Sequence, residues 1–127
     1  KERESRAREA SKTLADKIIE EKTVKGETSF VCSILEEMTV DNLRLIMDNI
    51  KSREKSLTGF LGSKNNGSMN YIVFCQNTNN DARAIIKRVN EVLNGKGGGK
   101  ADFSSGSTKE LKEKTEMLEL VKKAVME

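Results

Sequence analysis

The chain has 127 residues, enough for one domain, and its 34% of charged residues with no proline is typical of a helix-rich soluble domain with a modest core. Its net charge of +3 falls short of the basic bias of an autonomous nucleic-acid binder, and no apolar run reaches the roughly 18 residues of a membrane span, so we expect no membrane partner. Histidine is absent, which excludes His-based acid–base catalysis, a Ser-His-Asp triad and the usual His-containing zinc sites.

The N-terminal residues 1–22 predict an amphipathic helix. Its apolar stripe consists of Ala7, Ala10, Leu14, Ile18 and Ile19. Because the helical pattern is already under way at Lys1, we expect residues 1–24 to be the end of a longer helical segment and 25–127 to form the globular domain. The stripe is explained either by packing within the same fold or by a homodimer formed through this helix.

A strand and a second helix follow. The apolar and β-branched stretch Thr28–Leu35 predicts the strand, and Thr39 is the expected N-cap of a helix over residues 40–54. The predicted buried stripe of this helix is Leu43, Ile46, Met47 and Ile50. Its C-terminal end carries Lys51 and Arg53, cations that the helix dipole favours at this end and that could also contact phosphate.

The central part of the chain predicts a β-hairpin and a long helix. Leu57–Leu61 and Met69–Gln76 are the expected arms, joined by a turn at Asn66-Gly67. The second arm holds an unbroken apolar run, so we expect a central strand covered on both faces. The polar cluster 77–81 is expected to cap a helix whose apolar face comprises Ala82, Ile85, Ile86, Val89, Val92 and Leu93.

Both cysteines lie inside apolar runs. Cys32 and Cys75 lack Cys-x-x-Cys spacing, so buried free thiols in a reducing cytosol are the expected state. This favours a cytoplasmic location.

The long helix is expected to end at Asn94-Gly95, where a glycine-rich segment begins. Residues 95–100 read Gly-Lys-Gly-Gly-Gly-Lys, so a bare backbone and two flanking lysines can approach an anion closely. The segment is not a P-loop, because Asn94 stands six residues before Lys100 and Ala101 replaces the hydroxyl residue. It is not a Rossmann fingerprint either, because the glycines follow a helix and precede a strand. A helix C-cap with a flexible connector and a ligand site both remain open.

The C-terminal part predicts one more strand and helix. Ala101–Ser105 is expected to be extended, and Ser107–Glu110 reads as a capping box for a final helix. The apolar positions of that helix are Leu111, Leu118, Val121 and Val125. The element order α-β-α-β-β-α-β-α predicts an α/β fold of the α+β type, with a mixed sheet of about four strands packed with helices mainly on one side.

A family resemblance rests on residues 95–106, Gly-Lys-Gly-Gly-Gly-Lys-Ala-Asp-Phe-Ser-Ser-Gly. They resemble the glycine-rich signature G-x-G-G-G-[KR]-P-[DE]-[MF]-A-Q-x-G of the DHH-associated domain of alanyl-tRNA synthetases and alanyl-tRNA editing proteins. The matching positions are Gly95, Gly97, Gly98, Gly99, Lys100, Asp102, Phe103 and Gly106. Ala101 replaces the usual proline, and Ser104-Ser105 replace Ala-Gln.

The resemblance implies a C-terminal domain that binds alanine-type tRNA and can dimerise. We expect no catalytic residue, metal or cofactor within this chain; zinc, and ATP in a synthetase, would serve other parts of the parent protein. Phe103 is either a core anchor or a platform for an unpaired base. The candidate nucleic-acid-binding residues are Gly95, Lys96, Gly97, Gly98, Gly99, Lys100, Asp102, Phe103, Lys51 and Arg53.

Two other functions remain open at this point. The same domain type follows the catalytic domain of Asp-His-His phosphoesterases, where it helps hold single-stranded nucleic acid or short oligonucleotides. A dimerisation module built on the N-terminal helix is the third hypothesis.

Overall fold

The computed structural model describes residues 13–26, 28–65, 67–78, 80–110 and 113–126. Within them the chain forms the helical stretch 13–20, here α1, followed by strands and helices in the order expected of an α+β fold. The remaining elements are β1 (Thr23–Lys25), β2 (Thr28–Glu36), α2 (Val40–Lys51), β3 (Leu57–Asn65), β4 (Ser68–Gln76), α3 (Ala82–Leu93), β5 (Lys96–Gly99), β6 (Phe103–Thr108) and α4 (Lys114–Met126).

The strands form one mixed sheet in the order β1-β2-β3-β4-β6-β5. β2 and β3 run parallel, connected through α2, and the other neighbours are antiparallel. The predicted mixed sheet is confirmed, with six strands rather than about four. The two strands that had not been predicted as such, β1 and β5, are short and lie at opposite edges.

Helices cover both faces of the sheet, which corrects the expectation of a cover mainly on one side. α3 and α4 pack on one face around Phe60, Tyr71 and Val73. The described part of α1 and all of α2 pack on the other face around Leu61 and Ile72. The alternation of residues along β4 sends neighbouring side chains to opposite faces, so the prediction of a central, doubly covered strand is confirmed.

The caps of α2 and α3 follow from local side chains. The Thr39 hydroxyl accepts a hydrogen bond from the Asn42 N–H at 3.1 Å, and the Asp81 carboxylate accepts one from the Arg83 N–H at 2.9 Å. α3 ends at Leu93, and its C-cap Asn94 has a φ of 53°, in the left-handed region typical of a helix C-terminus. The predicted stripe of α2 is buried, and α3 buries its predicted face with Val92 partly exposed.

The structure corrects several predicted boundaries. β3 continues to Asn65 instead of ending at Leu61, and the last strand spans Phe103–Thr108 instead of Ala101–Ser105. α2 ends at Lys51, three residues before the predicted end at residue 54. Residues 107–110 do not form a capping box, because β6 continues to Thr108 and α4 is assigned from Lys114. The Thr108 hydroxyl instead donates to the Leu93 carbonyl at 2.8 Å, which ties β6 to the end of α3.

Several sequence predictions lie outside the described residues. They comprise the helix over residues 1–12, with Ala7 and Ala10, Asn66 of the predicted turn, and the position of Leu111. In the described part of the first helix, Ala15 and Ile18 are buried against the sheet of the same chain, with Leu14 and Ile19 packed beside them. Of the helices described, none is long and apolar enough to cross a membrane.

Candidate functional site

The glycine-rich segment forms an edge strand of the sheet. Lys96–Gly99 is β5, which pairs antiparallel with β6 and, among the described residues, has no strand on its other side. The Lys100 N–H donates to the Phe103 carbonyl at 2.7 Å and closes a tight turn between the two strands. All four residues of β5 and Lys100 are exposed to solvent. The segment therefore has a fixed backbone on an accessible edge.

The pairing decides which backbone groups of β5 face outward. Hydrogen-bonded and non-hydrogen-bonded residues alternate along an antiparallel pair, and the Lys100–Phe103 bond sets the phase. Gly98 and Lys96 therefore bond to β6, whereas Gly97 and Gly99 direct their N–H and C=O groups away from the sheet. The outward groups of alternate residues are about 7 Å apart, since each residue advances about 3.4 Å.

The glycines of β5 differ in whether packing requires them. Gly97 has a φ of 154°, a conformation that side-chain-bearing residues rarely adopt, and a Cβ there would overlap the Ser105 carbonyl. A Cβ at Gly99 would come within 2.7 Å of the Ser104 Cα. A Cβ at Gly98 would meet nothing within 4 Å. Packing therefore explains Gly97 and Gly99, while Gly98 leaves the surface of the strand bare.

Tyr71 supports the glycine segment from below. A Cβ at Gly95 would overlap its hydroxyl, and one at Gly106 would lie 2.7 Å from its ring. The buried Tyr71 hydroxyl donates to Asn90 Oδ1, and burial raises the pKa of Tyr71 to about 12. Asn90 Nδ2 in turn donates to the Gly97 carbonyl at 3.3 Å. The buried Tyr71 therefore positions β5 indirectly, because Asn90 of α3 hydrogen-bonds to both Tyr71 and Gly97.

A groove of about 420 Å³ separates β5 from the first turns of α3. Arg83 and Lys87 are exposed and four residues apart, so both line the same side of the groove. The other lining residues are Gly97, Gly98, Gly99, Asp81, Ala84 and Ile86. The groove therefore combines bare backbone on one wall with two cations on the other.

The Asp81 carboxylate accepts hydrogen bonds from the first N–H groups of α3. These groups are therefore not available to an external anion. Hydrogen bonds from the Arg83 backbone and side chain, together with that from the Ala84 N–H, hold the pKa of Asp81 below its ordinary value. The Arg83 guanidinium lies 3.4 Å from the Asp81 carboxylate in an exposed ion pair. The backbone donors that remain available in the groove are consequently those of β5.

A second depression of about 400 Å³ lies at the start of β5. Lys96 and Lys109 line it together with Glu110, and the remaining lining residues are Asn94, Gly95, Ser107 and Thr108. Lys100 lies at the far end of the strand, beyond Gly99. The two lysines predicted from sequence therefore bracket the glycines along the sheet edge.

The turn after β5 is anchored to the core. The Ala101 carbonyl accepts from the Ala82 N–H at 2.8 Å, and the Asp102 carbonyl accepts from the Cys75 N–H at 3.0 Å. Asp102 is exposed, whereas Phe103 is partly buried against the α2 face of the core. The Arg44 guanidinium lies 4.8 Å from the centre of the Phe103 ring. These contacts favour an anchoring role for Phe103 over stacking on a base.

The two candidates at the end of α2 lie apart from the groove. Arg53 forms an ion pair with Asp16 of α1. Lys51 is half-buried, and its carbonyl accepts a hydrogen bond from Gln76 Nε2 at 3.0 Å. Its positive charge opposes the rise that burial causes in the pKa of the Cys75 thiol. Within the part of the chain that the structure describes, neither residue lines the groove between β5 and α3. Their binding role stays a prediction, as does that of the glycine segment.

The sequence reasoning missed three residues of the site: Arg83, Lys87 and Asn90. The spacing of Arg83 and Lys87 marks one exposed face of α3, and this signal was available in the sequence. Asn90 follows directly on the buried Val89, and its role depends on Tyr71 and Gly97, which lie 19 and 7 residues away along the chain.

The thiols lie apart from this chemistry. Both cysteines are free, and burial raises the pKa of Cys32 to about 12 and that of Cys75 to about 11. Thiolate nucleophiles are therefore disfavoured at neutral pH. The described residues contain no group of three or more Cys, Asp or Glu side chains placed to hold a metal ion.

Comparison with known proteins gives consistent matches. Residues 27–127 match the model of the DHHA1 domain family. The alanine–tRNA ligase of Leptospira borgpetersenii serovar Hardjo-bovis is 32% identical over 111 residues, which cover 84% of this chain and 12% of the ligase. That of Acholeplasma laidlawii is 32% identical over 108 residues, covering 79% of this chain and 12% of the ligase. The chain thus spans about an eighth of the length of these relatives.

A solved structure supports the same relationship. The C-Ala domain of Aquifex aeolicus alanyl-tRNA synthetase superposes with a TM-score of 0.71 at 25% identity. The match covers 83% of this chain and 97% of that domain. The similarity therefore extends over nearly the whole of a domain solved separately from its synthetase.

Proposed function

This chain belongs to the DHHA1 domain family, and from that premise we propose that it is the tRNA-binding C-terminal domain of a cytoplasmic alanyl-tRNA synthetase-related protein. The names of the related ligases and of the C-Ala domain support this assignment. The domain would hold alanine-type tRNA, while aminoacylation or the editing of mischarged tRNA takes place elsewhere in the parent protein.

The observation that carries the proposal is the accessible glycine edge bracketed by Lys96 and Lys100. Its outward N–H groups are suited to phosphate and ribose oxygens, and the two ammonium groups supply charge at either end. Arg83 and Lys87 add two further cations across the groove. Backbone and phosphate contacts of this kind fix the position of a nucleic acid without reading its bases.

The distribution of aromatic residues agrees with recognition of the tRNA backbone. Phe103 is covered by Arg44 and packs on the core, so it does not present a free face to an unpaired base. In this proposal, preference for the cognate tRNA arises from its folded shape and from other parts of the parent protein.

The test is a salt series of tRNA binding with the variant Lys96→Ala/Lys100→Ala. We expect binding of an alanine tRNA transcript to weaken several-fold and its salt dependence to flatten, because fewer counterions are released. The control is Lys17→Ala/Lys22→Ala, which removes the same charge from the segment that precedes β1. Equal affinities of the wild type and the β5 variant at every salt concentration would contradict the proposal.

A second arm separates this function from that of a phosphoesterase substrate domain. The wild type is titrated with a short single-stranded oligonucleotide under the same conditions. We expect weaker binding than to tRNA, because a short strand offers fewer phosphates. Tighter binding of the oligonucleotide would favour the phosphoesterase role.

A further inference from the structure

The outward side of β5 differs from that of an ordinary edge strand. An unpaired edge presents N–H and C=O groups in alternation, which makes it a template for another strand. In β5, the Gly97 carbonyl already accepts a hydrogen bond from Asn90 Nδ2 at 3.3 Å. One of the two outward acceptors of the strand is therefore occupied, while the N–H groups of Gly97 and Gly99 point away from β6.

The orientation of the Asn90 side chain is fixed by its neighbours. Its Oδ1 accepts from the Tyr71 hydroxyl, which directs the NH₂ group towards β5. The Asn90 backbone carbonyl also accepts from the Gly95 N–H at 2.9 Å. Tyr71 is buried and its ring fills the space left by Gly95 and Gly106, so it cannot move without displacing the strand.

We propose that Asn90 and Tyr71 are positioning residues that make β5 a donor-rich edge selective for anions. Asn90 occupies the Gly97 carbonyl, Tyr71 holds the Asn90 amide in the required orientation, and the outward N–H groups are left for the oxygens of a sugar-phosphate backbone. That the ligand is tRNA rests on the proposed function. That the ligand is an anion does not depend on it.

The charges at the ends of β5 favour a polyanion over a second strand. If two copies of β5 paired antiparallel in register, Lys96 of one copy would lie opposite Lys100 of the other, and like charges in such pairs are destabilising. Lysines on exposed edges are a common protection against strand addition. A phosphate-rich ligand is attracted by the same two side chains.

The first experiment follows the backbone amides of the 127-residue chain by ¹⁵N NMR while inorganic phosphate replaces chloride at constant ionic strength. We expect saturable shifts at Gly97 and Gly99 in the wild type, and several-fold weaker phosphate binding in Asn90→Ala. Asn49→Ala is the matched control, because Asn49 also donates from a helix to a backbone carbonyl, that of Leu45 at 3.0 Å. We expect it to bind phosphate like the wild type.

The second experiment measures tRNA binding by the same variants across a salt series. Because Asn90→Ala removes no charge, we expect several-fold weaker binding with an unchanged salt slope. The lysine variant of β5 changes the slope, so a loss of backbone positioning is distinguishable from a loss of cations. Where Asn90→Ala does not fold, Tyr71→Phe carries the test, because it keeps the ring and removes only the hydroxyl.

The outcomes separate this inference from the proposed function. If phosphate shifts the amide signals of Gly97 and Gly99 in the wild type but tRNA does not bind, the proposed function is contradicted. The inference that β5 binds anions is then retained. If the wild type binds tRNA and Asn90→Ala, or Tyr71→Phe in its place, matches Asn49→Ala in both experiments, the inference is overturned and the function stands.

Discussion

The two outer strands of the sheet, β1 and β5, are both short, yet they offer different surfaces. β1 carries ordinary side chains, and Val24 is 56% exposed. β5 carries three consecutive glycines and adjoins a groove against α3. The two edges therefore differ in their side chains and in what flanks each strand.

The two edges also differ in how the cations near them are paired. Near β1, the Lys22 ammonium lies 2.6 Å from the Glu54 carboxylate, and Arg53 pairs with Asp16. Near β5, Lys96, Lys100 and Lys87 form no ion pair with a carboxylate of the described residues. Lys22 and Arg53 are thus neutralised locally. Near β5, Arg83 is likewise paired with Asp81, and the three lysines are available to an external anion.

The largest expected effect compares one glycine at each edge. Gly97→Ala should lower the free energy of unfolding by about 3 kcal/mol, because a strained φ adds to overlap with the Ser105 carbonyl. Gly26→Ala, next to β1, should cost only about 1 kcal/mol, because its φ is 62° but no atom lies within 4 Å of the added Cβ. Urea unfolding of both variants measures the difference, and equal losses would contradict the account of β5.

The next effect concerns the cations across the groove. Arg83→Ala/Lys87→Ala should weaken tRNA binding about tenfold, or about 1.4 kcal/mol, and reduce the salt slope. The matched variant Lys17→Ala/Lys22→Ala at the β1 edge should bind as the wild type does. Fluorescence titrations with labelled tRNA give both affinities, and a larger loss in the β1 variant would reverse the assignment of the two edges.

Alkaline pH should lower the free energy of unfolding, because ionisable groups are buried near each edge of the sheet. Burial raises the pKa of Cys32, in β2 next to β1, to about 12, and that of Tyr71, beneath β5, also to about 12. The unfolded chain loses these protons first, so the free energy of unfolding is unaffected at neutral pH and falls as pH rises from about 9 towards 12.

The variant Tyr71→Phe separates the two contributions. It should remove the part of the decline that begins near pH 10, leaving the part due to the thiols. Chemical unfolding at a series of pH values tests this. An unchanged decline in Tyr71→Phe would show that the Tyr71 pKa is not raised by burial.

The smallest expected effect is at the open glycine of β5. Gly98→Ala should leave stability within about 1 kcal/mol of the wild type, with a small gain where reduced freedom of the unfolded chain dominates. The contrast with Gly97→Ala in thermal unfolding is the informative quantity. A loss in Gly98→Ala comparable to that in Gly97→Ala would mean that the strand is packed on both faces.

Local patterns were sufficient for α2, α3 and the central hairpin. Thr39 and Asp81 are caps that act on residues two or three positions away, and the buried stripes of α2 and α3 follow from helical spacing alone. The two edge strands could not be predicted in this way. β1 has only three residues, and the glycines of β5 have neither side-chain alternation nor β propensity.

The candidate site was predicted in part for a related reason. The glycines and the two lysines form one continuous stretch, so the sequence alone draws attention to them. Arg83 and Asn90 reach that stretch only because α3 packs beside β5, which depends on the tertiary fold. The capping-box pattern at residues 107–110 was misleading, because Thr108 satisfies the Leu93 carbonyl from within a strand.

Site-resolved hydrogen exchange with and without alanine tRNA tests the central claim most directly. The free chain should exchange the amides of Gly97 and Gly99 rapidly, because the antiparallel pairing directs them away from β6. Binding of tRNA should protect these amides and leave Thr23–Lys25 at the opposite edge unchanged. Protection at β1 with none at β5, or tRNA binding that protects neither edge, would contradict the claim that the glycine edge holds the ligand.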